Sequence, residues 1–360
     1  MVCLCSGAKF MTIERKLMGT TDATASNAIV VGHGNSPYIT AYPWNSSTGF
    51  GTKYSDPSTL PTGTGYNVAF SPTGNAVAVT YLSSPYILAY PWSNSTGFGT
   101  KYSDPSTLPN MGYDVAFSPA GNAVAVAQLS SPYIVAYPWN SSTGFGTKYS
   151  DPSILPTGQG IGVAFSPTGN AIAVGHGTSP YITAYPWNSS TGFGTKYSDP
   201  SILPTSAGYG VAFSPTDNAI AIANVNPPYI TAYPWNSSTG FGTRYSNPST
   251  SPAGQAFSVA FSPAGNAIAV AFDGTPFIIA YPWNSSTGFG TKYSNPSTLP
   301  INTSAGVAFS PAGDVIAVTS YGPPYILAYP WNSFTGFGTK YSDPSTLPAS
   351  SGTSVAFSPS

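Results

Sequence analysis

The seven tryptophans are the feature that most constrains the fold. They follow one another at intervals of 47 or 48 residues and lie at Trp44, Trp92, Trp139, Trp187, Trp235, Trp283 and Trp331. Self-similarity at such a period is typical of repeat architectures, in which each unit buries its apolar face against the next unit. The 360 residues are therefore predicted to form one large domain of seven units, not the two or three domains that length alone suggests.

Each unit contains four strand candidates separated by turn residues. In one unit they cover residues 163–165, 171–174, 181–185 and 194–197, and we number them first to fourth. The second strand alternates Ala with Ile or Val, so one face carries small apolar side chains and the other carries large ones. This strand is therefore predicted to be buried on both sides. Pro186 is predicted to end the third strand, because proline cannot donate to a central ladder.

The arrangement of the repeats at the two ends predicts how the molecule closes. The repeats open at Asn27 with a second strand, and the chain ends, over residues 353–360, with a first strand. Each strand type occurs seven times only if this last strand joins the N-terminal blade. We therefore predict an all-β, seven-bladed β-propeller over residues 27–360, with four antiparallel strands per blade, closed by its C-terminal strand. An open β-solenoid is the alternative, and residues 1–26 are predicted to be a disordered leader or a short anchor.

Two resemblances accompany this pattern. The Val-Ala-Phe-Ser-Pro-x-Gly-Asn phrase and the strand that ends in Trp resemble the WD-repeat β-propellers over residues 27–360, which implies the same architecture. The family's Trp-Asp reads Trp44-Asn45 here and its Gly-His is missing, so the buried network of that family is not implied. The phrase Ser-Pro-Tyr-Ile-Thr-Ala-Tyr-Pro-Trp, ending at Trp187, also resembles repeats of uncharacterised propeller-like proteins from tailed phages.

Composition excludes several functions. Only 6% of residues are charged and the net charge is −1, so neither nucleic acid nor an anionic membrane surface is predicted to be a partner. Cys3 and Cys5 are the only cysteines, which excludes a disulfide framework and makes a poor metal site. No cofactor and no metal is predicted. No secretory signal precedes the repeats, and the expected location is a virion, or the host cytoplasm before release.

No repeat is interrupted by a set of converging catalytic residues. The acids without counterparts in other units, Asp114, Asp217 and Asp273, stand alone in the sequence. The sequence therefore predicts a protein that is not an enzyme, but a binding or structural propeller of a phage particle, with another protein as partner. The alternative is a multivalent lectin with a similar site for a cell-surface glycan in each blade.

One face of the ring is predicted to bind. Turns between the first and second and between the third and fourth strands are nearly uniform, whereas the other two sets of loops diverge between units. The candidate residues on this divergent face are His33, Tyr81, Leu82, Gln128, Leu129, His176, Asn224, Phe272, Asp273 and Tyr321 after the second strand, and Tyr66, Tyr113, Tyr209 and Phe257 before the first. Tyr81, Leu82, Leu129, Phe272 and Tyr321 are expected to be exposed anchors, and the two histidines to be surface loop residues or ligand contacts. Loops under no constraint would diverge in the same way.

Two further rings of polar residues repeat around the molecule. One basic residue per unit, as at Lys53 or Arg244, is predicted to lie in the fourth strand and oppose edge-to-edge pairing, or else to recruit an acidic partner. In Ser-Asp-Pro-Ser, Asp56 and its equivalents are replaced by Asn247 and Asn295 in two units. A side chain that caps a turn explains this better than a calcium ligand does.

Overall fold

The computed structural model describes residues 27–359, and these form seven four-stranded antiparallel sheets without a helix. The first strands are β4 (Asn67–Phe70), β8 (Gly112–Phe117), β12 (Gly160–Phe165), β16 (Gly208–Phe213), β20 (Ala256–Phe261), β24 (Val307–Phe309) and β28 (Gly352–Phe357). The second strands are β1 (Asn27–His33), β5 (Ala76–Thr80), β9 (Ala123–Gln128), β13 (Ala171–His176), β17 (Ala219–Asn224), β21 (Ala267–Phe272) and β25 (Val315–Thr319). The predicted seven-bladed β-propeller is confirmed.

The outer two strands of each blade differ in length from their predictions. The third strands are β2 (Ile39–Asn45), β6 (Ile87–Ser93), β10 (Ile134–Asn140), β14 (Ile182–Asn188), β18 (Ile230–Asn236), β22 (Ile278–Asn284) and β26 (Ile326–Asn332). The fourth strands are β3 (Gly49–Phe50), β7 (Gly97–Phe98), β11 (Gly144–Phe145), β15 (Gly192–Phe193), β19 (Gly240–Phe241), β23 (Gly288–Phe289) and β27 (Gly336–Phe337). The leader and the anchor predicted for residues 1–26 lie outside the described residues.

Pro186 does not end the third strand as predicted. It pairs with Ala171 inside the sheet, and its carbonyl accepts the amide of Gly194. The strand tolerates the proline because the donor it lacks would face the outermost side, where the fourth strand contributes only two residues.

Ring closure follows the prediction. β28 pairs with β1, so that Val31 lies opposite Val355 and Ile29 opposite Phe357. The hydroxyl of Ser358 accepts a hydrogen bond of 2.8 Å from the amide of Ala28. The N-terminal and C-terminal segments thus build one blade together, and no blade is left with three strands.

The core lies between the blades. Each cluster joins the small face of one second strand, which is mostly alanine, to the Ile or Val face of the next: Ala123, Ala125 and Ala127 pack with Ile172 and Val174. The small and large faces of the second strand thus interlock around the ring, which explains the alternation in the sequence. Each Trp lies edge-on to aromatic rings of its own blade and the previous one, and Trp92 contacts Tyr54 with ring centroids 5.1 Å apart.

Among residues 27–359, the structure contains no helix long and apolar enough to cross a membrane.

Candidate functional site

A cavity of about 270 Å³ opens where the seven first strands converge. The lining residues come from three consecutive positions at each first strand, except that only Ile161 and Val163 line the cavity at β12, and they form an outer, a middle and an inner layer. The outer layer holds Tyr66, Tyr113, Ile161, Tyr209, Phe257, Ala305 and Thr353, the middle layer Asn67, Asp114, Gly210, Ser258, Gly306 and Ser354, and the inner layer seven valines from Val68 to Val355. Tyr321 completes the lining from the loop after β25. The cavity therefore belongs to the face on which the sequence diverges between units.

Five of the predicted site residues meet in this cavity: Tyr66, Tyr113, Tyr209, Phe257 and Tyr321. The rings of Tyr66 and Tyr113 have centroids 4.9 Å apart, and those of Tyr209 and Phe257 lie edge-on at 5.6 Å. Burial, with smaller contributions from the phenols of Tyr209, Tyr66 and Tyr321, raises the pKa of Tyr113 above its ordinary value. The hydroxyl of Tyr113 is thus a neutral donor and acceptor at pH 7.

Asp114 is the only carboxylate among the residues that line the cavity. Its Oδ1 accepts a hydrogen bond of 2.8 Å from the amide of Val115. Its Oδ2 accepts one of 2.7 Å from the amide of Val163 in the next blade. Burial raises the pKa of Asp114 to about 7, although these two hydrogen bonds act in the opposite direction. No Lys, Arg or His lines the cavity to offset the charge.

The structure corrects the expected exposure of several other candidates. Tyr81 and Phe272 are completely buried, and Leu82 and Leu129 are only partly exposed, so of the five expected anchors Tyr321 alone is exposed, at 41%. Gln128 and Asn224 are buried as well, whereas Asp273 is exposed. Tyr81 and Phe272 each pack in a cluster with the second strand of the preceding blade, which the sequence of one unit does not reveal.

His33 and His176 are buried, not surface loop residues. Their Nε2 atoms lie 2.8 and 2.9 Å from the hydroxyls of Thr40 and Thr183. Burial lowers the pKa of both histidines to about 4, so both are neutral at pH 7. Asn224 makes the same contact with Thr231 at 2.7 Å. The co-occurrence of His or Asn with this Thr was the sequence signal for a structural pair.

The outer rim also differs from its prediction. Lys53 and its equivalents follow the fourth strand instead of lying within it. In five blades this Lys contacts the Asp three residues later, so the Asp pairs with a cation and is not a turn cap. No group of three or more metal-ligating side chains occurs in residues 27–359.

No protein-family model matches this sequence, and a comparison with curated proteins found no significant match. Solved structures are similar in fold. A candidate 6-phosphogluconolactonase from Bacteroides uniformis is 17% identical, with a TM-score of 0.74 over 92% of this chain and 99% of that one. A second candidate 6-phosphogluconolactonase, from Bacteroides fragilis, is 15% identical with a TM-score of 0.74, over 94% of this chain and 99% of that one.

The periplasmic gluconolactonase of Pseudomonas aeruginosa is 16% identical, with a TM-score of 0.70 over 92% of this chain and 99% of that one. Neither the WD-repeat nor the phage resemblance is confirmed. The prediction of a non-enzymatic phage propeller or lectin is wrong, because the neighbours with a stated activity are lactonases. The expected protein or glycan partner and the expected location stay predictions.

Proposed function

We propose that this propeller hydrolyses the lactone of an unphosphorylated sugar acid in the cavity, with Asp114 as the general base. The observation that carries the proposal is a single half-buried carboxylate, with a pKa of about 7, in a cavity lined by no Lys, Arg or His. General bases act best when their pKa lies near the working pH. The lactonase names of the structural neighbours support the reaction class, although their identity to this chain is only 15–17%.

The hydrogen bonds of Asp114 leave it able to activate water. A carboxylate offers about four acceptor sites, and the amides of Val115 and Val163 use one on each oxygen. These bonds fix the plane of the carboxylate between two blades. The remaining lone pairs can accept a hydrogen bond from a water molecule in the cavity.

The reaction needs no group besides this carboxylate to move protons. Asp114 takes a proton as the water oxygen bonds to the lactone carbonyl carbon, and the carbonyl electron pair moves to its oxygen. When the carbon–oxygen double bond re-forms, the ring carbon–oxygen bond breaks, and the proton passes from Asp114 to the leaving ring oxygen. The product is an open hydroxy acid, and Asp114 returns to its starting form.

The lining favours a neutral, hydroxylated ligand. Tyr66, Tyr113, Tyr209 and Tyr321 offer aromatic surface together with hydroxyl groups. The volume of about 270 Å³ lies near the lower end of small-molecule sites, which suits a single sugar ring. Phosphate recognition uses Arg, Lys or helix N-termini, and the cavity lining contains none of these.

The experiment compares two substrates. Acid release from glucono-1,5-lactone and from its 6-phosphate is followed with the purified chain and corrected for spontaneous hydrolysis. We expect acceleration with the unphosphorylated lactone and a much smaller effect with the phosphate. Failure to accelerate either reaction would overturn the proposal. A preference for the phosphorylated lactone would refute the argument from charge.

A further inference from the structure

Aromatic side chains surround most of the cavity mouth. Five of the seven blades each contribute one aromatic residue to the lining: Tyr66, Tyr113, Tyr209, Phe257 and Tyr321. The rings of Tyr66 and Tyr113 are inclined by 34°, and those of Tyr209 and Phe257 by 90°. The lining therefore contains rings in several orientations and not one parallel stack.

The ends of these side chains approach one another, although their blades are separated around the ring. Burial is the main cause of the raised pKa of Tyr113, and the phenols of three other tyrosines, Tyr209, Tyr66 and Tyr321, add to it. Burial also raises the pKa of Tyr321, and the phenols of Tyr66 and Tyr209 again contribute. Electrostatic effects on a pKa come from nearby groups. Four phenols from four blades therefore border one common space.

Asp114 brings the only negative charge to this aromatic enclosure. It is the only carboxylate among the lining residues, and it too adds to the raised pKa of Tyr113, so its charge lies near that phenol. No Lys, Arg or His lines the cavity. A neutral sugar leaves the ionised Asp114 without a counter-charge, whereas a cationic ligand supplies one.

Aromatic rings and a carboxylate together favour one kind of cation. The faces of Tyr and Phe rings attract cations, and quaternary ammonium groups are the ligands most often bound in this way. A primary ammonium is strongly hydrated and loses hydrogen bonds to water when it enters an apolar site. A quaternary ammonium has no N–H donor to satisfy, and its methyl groups can be contacted from several blades at once.

We propose that the cavity binds a small quaternary ammonium compound, with its cationic head between the aromatic residues and its charge offset by Asp114. This inference stands apart from the proposed lactone hydrolysis, although both use the same cavity. The valines of the inner layer offer apolar surface to the N-methyl groups. Choline has fewer non-hydrogen atoms than a sugar lactone, so the volume of about 270 Å³ is large enough for it.

The test compares a cation with its neutral analogue on the full chain. Choline and 3,3-dimethyl-1-butanol, in which carbon replaces the nitrogen, are titrated by isothermal calorimetry at a pH of about 8, where Asp114 is mostly ionised. We expect choline to bind at least about tenfold more tightly, because only choline carries the charge. Choline that does not bind, or equal affinity for the two compounds, would overturn the inference.

Two pairs of variants test the contacts. Tyr321→Leu should weaken choline binding about two- to fivefold, whereas Tyr321→Phe keeps the ring and should keep the affinity. Tyr321 is 41% exposed in a loop, so neither change should disturb folding. Asp114→Asn should weaken choline binding about two- to tenfold, and Asp343→Asn at the rim should leave it unchanged.

The affinity for 3,3-dimethyl-1-butanol should be nearly the same in Asp114→Asn and Asp343→Asn, because this compound is uncharged. Equal choline affinity in the two members of either pair of variants would count against the inference. Choline binding without lactone hydrolysis would keep the inference and reject the proposed function. Lactone hydrolysis with equal affinity for choline and its neutral analogue would do the reverse.

Discussion

Aspartates occur in two contrasting regions, the outer rim and the central cavity. At the rim, Asp56, Asp104, Asp151, Asp199 and Asp343 each pair with a Lys three residues earlier, and their side chains are 40–45% exposed. In the blade of β20–β23, Asn295 takes the same place, and its Oδ1 accepts Lys292 Nζ at 2.6 Å. The negative charge is therefore replaceable at the rim, as expected for exposed ion pairs.

The cavity contains one aspartate with the opposite surroundings. Asp114 has no cation near it, accepts two backbone amides and has a pKa of about 7. No Lys, Arg or His among the lining residues offsets the effect of burial, so the protonation of Asp114 can change near neutral pH. Asp114 and the rim aspartates are the same residue type, so the raised pKa of Asp114 results from its surroundings.

The largest effect on activity is expected from removing the carboxylate charge in the cavity, whereas removing one at the rim should have none. Asp114→Asn should lower the rate of lactone hydrolysis about 10²- to 10⁴-fold, the contribution typical of a general base. Asp343→Asn is the matched control and should retain full activity, since Asn295 already replaces its equivalent. Steady-state kinetics with glucono-1,5-lactone measure both, and comparable losses in the two variants would refute the distinction.

The pH dependence should follow the cavity carboxylate. A base acts when deprotonated, so kcat/KM should rise as pH increases through about 7 and then level off.

The same group should make stability depend on pH. The pKa of Asp114 in the folded chain is raised above the ordinary 3.8, so between pH 3.8 and about 7 the folded chain holds a proton that the unfolded chain has released. Stability should therefore decrease as pH rises through this range. Urea unfolding at several pH values should show a smaller decrease for Asp114→Asn, and equal slopes would contradict the assignment.

Tyrosines offer a second comparison between cavity and rim, with smaller effects. The hydroxyl of Tyr102 donates to the carbonyl of Ser141 in the next blade, whereas Tyr113 lines the cavity. Tyr102→Phe should lower the free energy of unfolding by about 1 kcal/mol and leave activity unchanged. Tyr113→Phe should lower kcat/KM by about two- to tenfold and leave stability nearly unchanged. Kinetics and urea unfolding on both variants test this, and the reverse pattern would count against the cavity.

The sequence predicted the architecture because the repeat constrains it at several levels. The Trp spacing gave the number of blades, the Ala and Val alternation gave the doubly buried second strand, and the strand count gave closure through β28. It failed where outer strands depend on tertiary pairing. Pro186 stays in the sheet because its carbonyl still accepts a hydrogen bond from Gly194, which a rule about missing donors does not consider.

The site was predictable only in part. Comparison between units identified Tyr66, Tyr113 and Tyr209, because a cavity at the ring axis is built from positions that need not repeat. Burial of Tyr81 could not be read from the sequence, since Tyr81 packs against strands of the preceding blade. The proposed role of Asp114 was not predicted, because a single carboxylate forms no motif.

The smallest effect is expected at the rim itself. Asp343→Asn replaces the ion pair with Lys340 by the arrangement that Lys292 and Asn295 already adopt. An exposed pair of this kind contributes about 0–1 kcal/mol, and salt weakens it. The variant should therefore lose less than about 1 kcal/mol in urea unfolding at low salt, and the difference should vanish at high salt. A larger loss that persists at high salt would mean that the rim carboxylate is held as firmly as Asp114, and the contrast between the two regions would fail.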